Sequence, residues 1–288
     1  MSEIVFRELR NNTPMLINFA KAVARARVKP GKNPTLPAIG LRLRDVIADS
    51  RHLAAFRKVC QFADGPNLPI TYPHMHAFPL HMQLILDKNF PFPAMGLVHV
   101  RNNITQYRPI GVREQLDIEA SLGSLEKVDK GYEFSIITQV STGGELVWEE
   151  ESVNFFRWGK STETKKPQPQ VEPVTNAIEW SVPGDIGRRY GAVSGDRNPI
   201  HLYPLTAKLF GFKRQIAHGM WSKSRSLAEL EQQFPAYPLK VDVQFKLPMF
   251  TPAKVKFAID KTAKGCDFRL LAADGVKPHL AGQLYSLD

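Results

Sequence analysis

The chain has 288 residues, 43% of them hydrophobic and 23% charged, which is the composition of an ordinary globular protein long enough for about two domains. Cys60 and Cys266 lie far apart and form no CxxC pair, so a disulfide framework and a cysteine zinc site are excluded and a cytoplasmic protein is expected. No apolar run approaches the roughly 20 residues that span a bilayer, and the formal net charge of +10 favours anionic partners without choosing among them.

The first fifty residues predict an extension that packs on the first domain. Thr13-Pro14 is a good start for a helix over residues 15–25, because proline is preorganised for the first helical position. Prolines from position 30 onward end this helix. The basic residues of the segment are not interleaved with aromatic residues, so nucleic-acid binding is not expected; they are Arg25, Arg27, Lys29 and Lys32.

The rest of the chain repeats one order of elements in two halves. In the first half an apolar run at residues 78–86 precedes four strand-like segments, at 96–107, 113–127, 131–141 and 145–157. In the second half a helical run at 219–233 precedes segments at 239–247, 253–261, 267–273 and 279–286. The polar, proline-bearing stretch 159–172 is expected to link them. The sequence therefore predicts an α+β protein in which each half is one helix wrapped by antiparallel strands.

The strongest functional pattern is Tyr-Gly-Ala-Val-Ser-Gly-Asp-Arg-Asn-Pro-Ile-His at residues 190–201. Gly195 and Pro199 interrupt any helix, because glycine accepts unusual backbone angles and proline pushes the preceding Asn198 out of the helical region. Such a turn can hold Asp196 and His201 at one point in space with both side chains open to a ligand. A carboxylate and an imidazole are the pair that moves a proton and activates a water molecule.

This pattern resembles the signature of the MaoC-like dehydratase, or (R)-specific enoyl-CoA hydratase 2, family. That signature is an aromatic residue, then Ser-Gly-Asp-x-Asn-Pro, a hydrophobic residue and His, followed by a helix. A second element that resembles the family comes after it, with Gly211-Phe212 and then Ile-Ala-His-Gly-Met at residues 216–220. One departure follows the motif histidine, where Leu202-Tyr203-Pro204 stands in place of a small polar residue and Asp. The catalytic pair is unaffected, but the rim of the pocket is expected to differ.

The resemblance implies a double hotdog fold, two copies of a long helix wrapped by a curved antiparallel sheet. Residues 1–158 would then form the N-terminal extension and a noncatalytic hotdog, because the first half has no matching motif. Residues 159–172 would be the linker, and residues 173–288 the catalytic hotdog. The assembly is expected to be a monomeric double hotdog or a homodimer.

The resemblance also implies the chemistry, which is the reversible hydration of 2-enoyl thioesters to (R)-3-hydroxyacyl thioesters by a hydro-lyase. By that resemblance His201 takes a proton from the catalytic water, and Asp196 orients the water and supplies the proton to C2. Gly219 begins the predicted central helix, so its N–H is expected to form the oxyanion hole. The other motif residues are expected to bind substrate or support these groups; they are Tyr190, Ser194, Asn198, Phe212, His218 and Met220.

Two other functions remain open for the same residues. A hotdog acyl thioesterase would direct the water at the thioester carbonyl, since a fold does not fix the reaction. A noncatalytic acyl-thioester or carrier-protein binding protein would keep the motif only as architecture. The expected partner is an acyl-CoA or acyl carrier protein thioester, with no cofactor. No metal is expected at His74, His76 and His81, because no carboxylate or cysteine stands at a recognisable spacing from them.

Overall fold

The structure, a computed structural model, describes residues 4–9, 21–22, 25, 28–159 and 172–287. The helix expected over residues 15–25 and the linker expected over 159–172 lie almost entirely outside these residues. The elements in chain order are β1 (Val5–Leu9), β2 (Ile39–Val46), α1 (Ser50–Cys60), α2 (Pro73–Ile85), β3 (Leu97–Gln106), β4 (Leu116–Val128), β5 (Gly131–Thr142), β6 (Glu145–Arg157), β7 (Ile178–Val182), α3 (Ile186–Ser194), α4 (Pro199–Leu202), α5 (Pro204–Leu209), α6 (Gly219–Leu230), β8 (Leu239–Phe245), β9 (Ala253–Thr262), β10 (Gly265–Ala272) and β11 (Pro278–Ser286).

Contacts divide the chain into two compact units. Unit 1 comprises the described residues within Met1–Ile47, Pro73–Ile104 and Arg113–Gln168, and unit 2 those within Ala48–Tyr72, Thr105–Val112 and Pro169–Asp288. The chain therefore enters unit 2 twice before residue 158. The domain boundaries expected at 158 and 173 stay a prediction.

Unit 1 consists of a sheet in the order β1-β2-β4-β5-β6-β3, with helix α2 packed on β2, β4 and β5. Strand β1 runs parallel to β2, while β2, β4, β5 and β6 pair antiparallel in succession. Along β4 buried residues alternate with partly exposed ones, so one face of the strand belongs to the core. Gly143 and Gly144 join β5 to β6 with positive φ angles of 56° and 83°, which a two-residue hairpin turn of this hand requires.

Unit 2 consists of an antiparallel sheet in the order β8-β11-β10-β9-β7, with helix α6 packed on β11. Helix α1 belongs to this unit and packs against α3 and α6. It begins where the Asp49 side chain accepts a hydrogen bond from His52 N, and it ends where Gln61 adopts a left-handed conformation with φ 63°. A segment from early in the sequence thus supports the helices of the unit that holds the motif.

The repeated order of one helix followed by four strands is confirmed in both halves, with bounds that differ from the predicted ones by a few residues. Helix α2 begins at Pro73, five residues before the apolar run, because proline suits the first turn of a helix. Several elements had no prediction, among them helix α1, the edge strand β7 and strands β1 and β2 within the extension. No helix among the described residues is both long and apolar enough to cross a membrane.

Candidate active site

The predicted turn lies between two helices of unit 2. Helix α3 ends at Gly195, whose φ of 75° is left-handed and whose N–H donates to the Gly191 carbonyl. Asn198 then caps α4, since its side-chain oxygen accepts a hydrogen bond from Ile200 N at 3.3 Å, and Pro199 occupies the first helical turn. The glycine and the Asn-Pro pair therefore act at the turn as predicted.

Two further glycines allow the turn to fold back on α3. A Cβ at Gly187 would lie 1.9 Å from the His201 carbonyl oxygen, and a Cβ at Gly191 would lie 2.8 Å from the Asp196 carbonyl oxygen. No side chain fits at either position without moving the backbone of a motif residue. The sequence analysis did not single out these glycines; their spacing of four residues, on one face of α3, was the available signal.

Local hydrogen bonds fix Asp196 within the turn. Its N–H donates to the Ser194 hydroxyl at 3.1 Å, and its Oδ1 accepts from Asn198 N at 3.0 Å. Ser194 and Asn198 thus hold the shape of the loop. Because Oδ1 serves the backbone, Oδ2 is the oxygen better placed to act on a ligand.

His201 lies buried in α4 with its tautomer set by the backbone. Its Nδ1 lies 2.8 Å from the Ile216 carbonyl oxygen, and a carbonyl can only accept, so Nδ1 carries the hydrogen. Nε2 then bears the lone pair. Burial lowers the pKa of His201 below its ordinary value, although Asp196 and the Ile216 carbonyl act in the opposite direction. His201 is therefore a neutral imidazole near pH 7, able to accept a proton at Nε2.

His218 lies against both catalytic candidates. Its ring stacks on that of His201 with centroids 3.7 Å apart, and its Nε2 donates to the Asp196 backbone carbonyl at 2.9 Å. Burial, and next the neighbouring His201, lowers its pKa to about 3, so both stacked rings are neutral. Tyr190 is buried beside it with ring centroids 5.0 Å apart. Tyr190 thus packs behind His218, and His218 holds the backbone of Asp196.

Gly219 is the first residue of α6, and His218 makes no side-chain hydrogen bond to that first turn. A Cβ at Gly219 would lie 3.0 Å from the Phe245 ring, so the absence of a side chain lets this helix start pack closely. Met220 is buried in the same turn. Phe212 is half-buried, and its backbone N–H donates to Ala207 of α5. The described contacts of Phe212 thus tie it to α5.

Two residues that the sequence analysis missed are His52 of α1 and Tyr72, which directly precedes α2. His52 Nε2 lies 2.7 Å from the Val193 carbonyl oxygen, so this nitrogen carries the hydrogen and Nδ1 accepts from the Tyr72 hydroxyl at 2.9 Å. Burial raises the pKa of Tyr72 to about 12, which keeps its hydroxyl protonated. His52 therefore satisfies a carbonyl in the last turn of α3, just before Ser194. It stands 141 residues from Val193, so no local pattern links the two.

Two groups of side chains have the composition of a metal site. In the first group, one side-chain nitrogen or oxygen from each of Asp196, His201 and His218 lies within 4.8 Å of the other two. The second group is in unit 1 and meets the same criterion; it consists of His74, His81 and Glu150. Glu150 supplies the carboxylate that the spacing of His74, His76 and His81 does not offer in sequence. Its two oxygens lie 2.8 and 2.9 Å from His74 Nδ1, while His81 Nε2 contacts the Thr138 hydroxyl at 2.7 Å. Hydrogen bonds within the protein thus already occupy the second group.

Comparisons with known proteins show what the chain is similar to. The sequence profile of the MaoC like domain matches residues 160–273. The chain is 33% identical over 276 residues to 3-hydroxyacyl-thioester dehydratase X of Mycobacterium tuberculosis, covering 94% of this chain and 98% of that protein. It is 38% identical over 77 residues to the (R)-specific enoyl-CoA hydratase of Aeromonas caviae, covering 26% of this chain and 58% of that protein. The crystal structure of HtdX of Mycobacterium tuberculosis superposes with a TM-score of 0.76 at 32% identity, covering 86% of this chain and all of that chain. The expected hotdog fold is thereby confirmed.

Proposed function

The chain belongs to the MaoC-like dehydratase family, and from that premise we propose that it catalyses the reversible hydration of 2-enoyl thioesters to (R)-3-hydroxyacyl thioesters. Its class is that of the hydro-lyases, to which the named relatives belong. The observation that carries the proposal is a buried, neutral His201 whose lone pair is on Nε2, beside the carboxylate of Asp196. This is the arrangement that a water-activating base requires.

In the hydration direction a water oxygen bonds to C3 while His201 Nε2 takes one of its protons. The electron pair of the double bond moves onto the thioester, where the N–H of Gly219 at the start of α6 stabilises the enolate oxygen. The proton on His201 then passes to Asp196 and on to C2. One water is consumed, and both side chains end in the state in which they began. Because one water and both groups act on one face of the alkene, addition is syn.

Supporting residues restrict how far the reacting groups can move. Ser194 and Asn198 hold the loop of Asp196, while His218 holds its carbonyl. The Ile216 carbonyl fixes the His201 ring. Holding the base and the water in a productive geometry removes much of the entropic cost of bringing base, water and substrate together.

The test follows the absorbance of the enoyl-thioester bond of crotonyl-CoA together with a thiol-detecting reagent. Loss of the band without thiol release is expected for hydration. Asp196→Asn and His201→Ala are each expected to lower kcat by about 10²–10⁴-fold, because each removes a proton-transfer group. Asp260→Asn is the matched control, since Asp260 is an exposed carboxylate on β9 paired with Arg269.

Two outcomes would contradict the proposal. Thiol release at the rate of band loss would identify a thioesterase in which the water attacks the carbonyl. Full activity in both Asp196→Asn and His201→Ala would remove these residues from the chemistry. Circular dichroism of each variant separates a catalytic loss from a loss of fold.

A further inference from the structure

The segment that follows His201 presents apolar side chains to solvent. Leu205 and Leu209 of α5 are 74% and 78% exposed, and the flanking Tyr203 and Phe210 are 52% and 42% exposed. The two leucines are four residues apart, which places them on one face of the helix. We refer to these four residues as the apolar patch. Isolated exposed apolar residues are ordinary, whereas a contiguous group marks an interaction site.

The apolar patch stands on an ordered base. The Thr206 hydroxyl donates to the carbonyl oxygens of Pro199 and Tyr203, at 2.7 and 3.0 Å. Ala207 is fully buried, and its carbonyl accepts hydrogen bonds from the backbone of Phe210 and Phe212. The outward direction of the leucines is therefore fixed by the anchored inner face of α5.

The stretch of chain that carries the apolar patch is rich in basic residues. Between residues 186 and 215 the sequence has six basic residues and one acidic residue, Asp196, which belongs to the active site. All six basic residues are exposed; they are Arg188, Arg189, Arg197, Lys208, Lys213 and Arg214. The Arg188 guanidinium lies 4.9 Å from the centroid of the Tyr203 ring and donates to the Leu202 carbonyl. We refer to these six residues as the basic rim.

The chemistry of this surface selects among the possible occupants. A second copy of the chain would bring a net charge of +10 against another basic rim, which disfavours self-association. The phosphates of coenzyme A would pair with arginine and lysine but would leave the leucines of α5 exposed. An acyl carrier protein is a small acidic protein that bears the acyl thioester on a flexible arm, so it can cover leucines and pair with cations at the same time.

We propose that the apolar patch and the basic rim dock an acidic acyl carrier protein, which delivers its acyl thioester to Asp196 and His201. The inference rests on the proposed function and names the carrier of its substrate. Tyr203 follows His201 by two residues, so the docking surface and the catalytic residues lie on one short stretch of chain. Tyr203, the middle residue of the departure Leu202-Tyr203-Pro204 from the family pattern, belongs to the apolar patch.

The test compares crotonyl-CoA with a crotonyl-loaded acyl carrier protein as substrates of the same full-length enzyme. Leu205→Glu and Lys208→Glu place negative charge on the apolar patch and on the basic rim. Each is expected to lower kcat/KM for the carrier-bound substrate at least tenfold, mainly through KM. Leu205→Glu is expected to leave turnover of crotonyl-CoA unchanged, and Lys208→Glu to lower it far less than turnover of the carrier-bound substrate. Leu247→Glu is the matched control, because Leu247 is also an exposed leucine of unit 2, at 48%. The rate with the carrier-bound substrate is expected to fall as salt screens the rim.

The other possible results distinguish the docking proposal from the proposed function. Turnover of crotonyl-CoA with no turnover of the carrier-bound substrate overturns the docking proposal and leaves the proposed function intact. Equal loss on both substrates, or no loss on either, also overturns it. Self-association that Leu205→Glu abolishes in sedimentation would assign the apolar patch to a second copy instead. Failure of the unaltered enzyme on both substrates would overturn the proposed function itself.

Discussion

At the scale of single residues, backbone carbonyls determine which ring nitrogen carries the hydrogen in the buried imidazoles of His201 and His218. His201 donates from Nδ1 to Ile216, whereas His218 donates from Nε2 to Asp196. The nitrogen that keeps a lone pair therefore differs: Nε2 in His201 and Nδ1 in His218. The Nδ1 of His218 is buried and has no hydrogen-bond partner within the described part of the chain. His201 is thus suited to accept a proton from water, and His218 to hold the backbone.

The lowered pKa of His201 predicts the shape of the pH profile. A base works only when it is unprotonated, so kcat/KM is expected to fall as the pH drops through the pKa of His201. Because burial places that pKa below the ordinary value of 6.5, the midpoint of this fall is expected below pH 6.5. The measurement is kcat/KM for crotonyl-CoA over the acidic range within which the enzyme stays folded.

An acidic limb centred above pH 6.5 would contradict this assignment. It would mean that a protonated His201 persists at neutral pH despite its burial. Circular dichroism at each pH is the control, since unfolding would also remove activity at low pH.

At the scale of secondary-structure elements, α1 connects to the site through the end of α3. The His52 side chain satisfies the Val193 carbonyl, and Trp221 of α6 donates from Nε1 to the Val59 carbonyl of α1 at 3.1 Å. Helix α1 therefore fixes both the helix that leads into the motif loop and the helix that begins with Gly219. We assign His52 as a positioning residue, which acts through α3.

Removing the His52 ring is expected to lower kcat for crotonyl-CoA about tenfold and to leave KM within about twofold, because an unsatisfied buried carbonyl costs roughly 1–3 kcal/mol and loosens the loop of Asp196. His52→Gln keeps a hydrogen-bond donor, so its kcat should be higher than that of His52→Ala. Equal losses of kcat in the two variants would mean that the hydrogen bond to Val193 is not what matters. Arg51→Ala, at an exposed neighbouring position on α1, is the control. A rise in KM with kcat unchanged would assign His52 to substrate binding instead.

The sequence predicted the elements that follow local patterns and missed those that depend on distant contacts. Alternation and turn residues predicted strands β3–β6 of unit 1 and β8–β11 of unit 2, and Gly195 with Asn198-Pro199 predicted the turn. Helix α1 has no motif of its own, and its place in unit 2 depends on contacts such as His52 with Val193. The same holds for Glu150, whose carboxylate meets His74 across 76 positions of sequence. Periodicity reports neighbours along the chain, and these pairs are neighbours only after folding.

At the scale of the whole molecule, the two units use buried polar groups differently. In unit 2 the hydrogen bonds that hold the Asp196 and His201 side chains use Oδ1 and Nδ1 and leave Oδ2 and Nε2. In unit 1 the Glu150 carboxylate accepts from His74 and from the Asn102 amide at 2.7 Å, and the His81 ring contacts Thr138. Hydrogen bonds commit these groups to one another. The group at Glu150 is therefore expected to contribute to stability, through charges that depend on pH.

Glu150→Gln is the prediction that tests this contribution. The change leaves His74 without its buried carboxylate, and breaking a buried pair in this way should lower the free energy of unfolding at pH 7 by about 3–5 kcal/mol, measured by guanidinium denaturation. Glu149→Gln is the control, because Glu149 is the adjacent, less buried carboxylate on β6. An equal effect of the two changes would contradict a special role for Glu150.

The same group predicts how stability responds to acid. Burial alone would raise the pKa of Glu150, but the charge and hydrogen bond of His74, with His81 and Asn102, hold it at about 2, below the ordinary 4.5. Its stabilisation is therefore complete above pH 4.5 and is lost as the pH falls toward 2. Burial lowers the pKa of His81 to about 4, although the charge of Glu150 acts in the opposite direction. As the pH falls from 6.5 to 4, His81 is therefore protonated in the unfolded chain before it is protonated in the folded one, and the folded state loses stability. Unfolding free energy should thus decline in two successive windows in the unaltered protein. In Glu150→Gln the decline between pH 4.5 and 2 should be smaller, although buried His218, whose pKa is about 3, still contributes a loss down to that pH. An unchanged decline would assign the acid sensitivity to other groups.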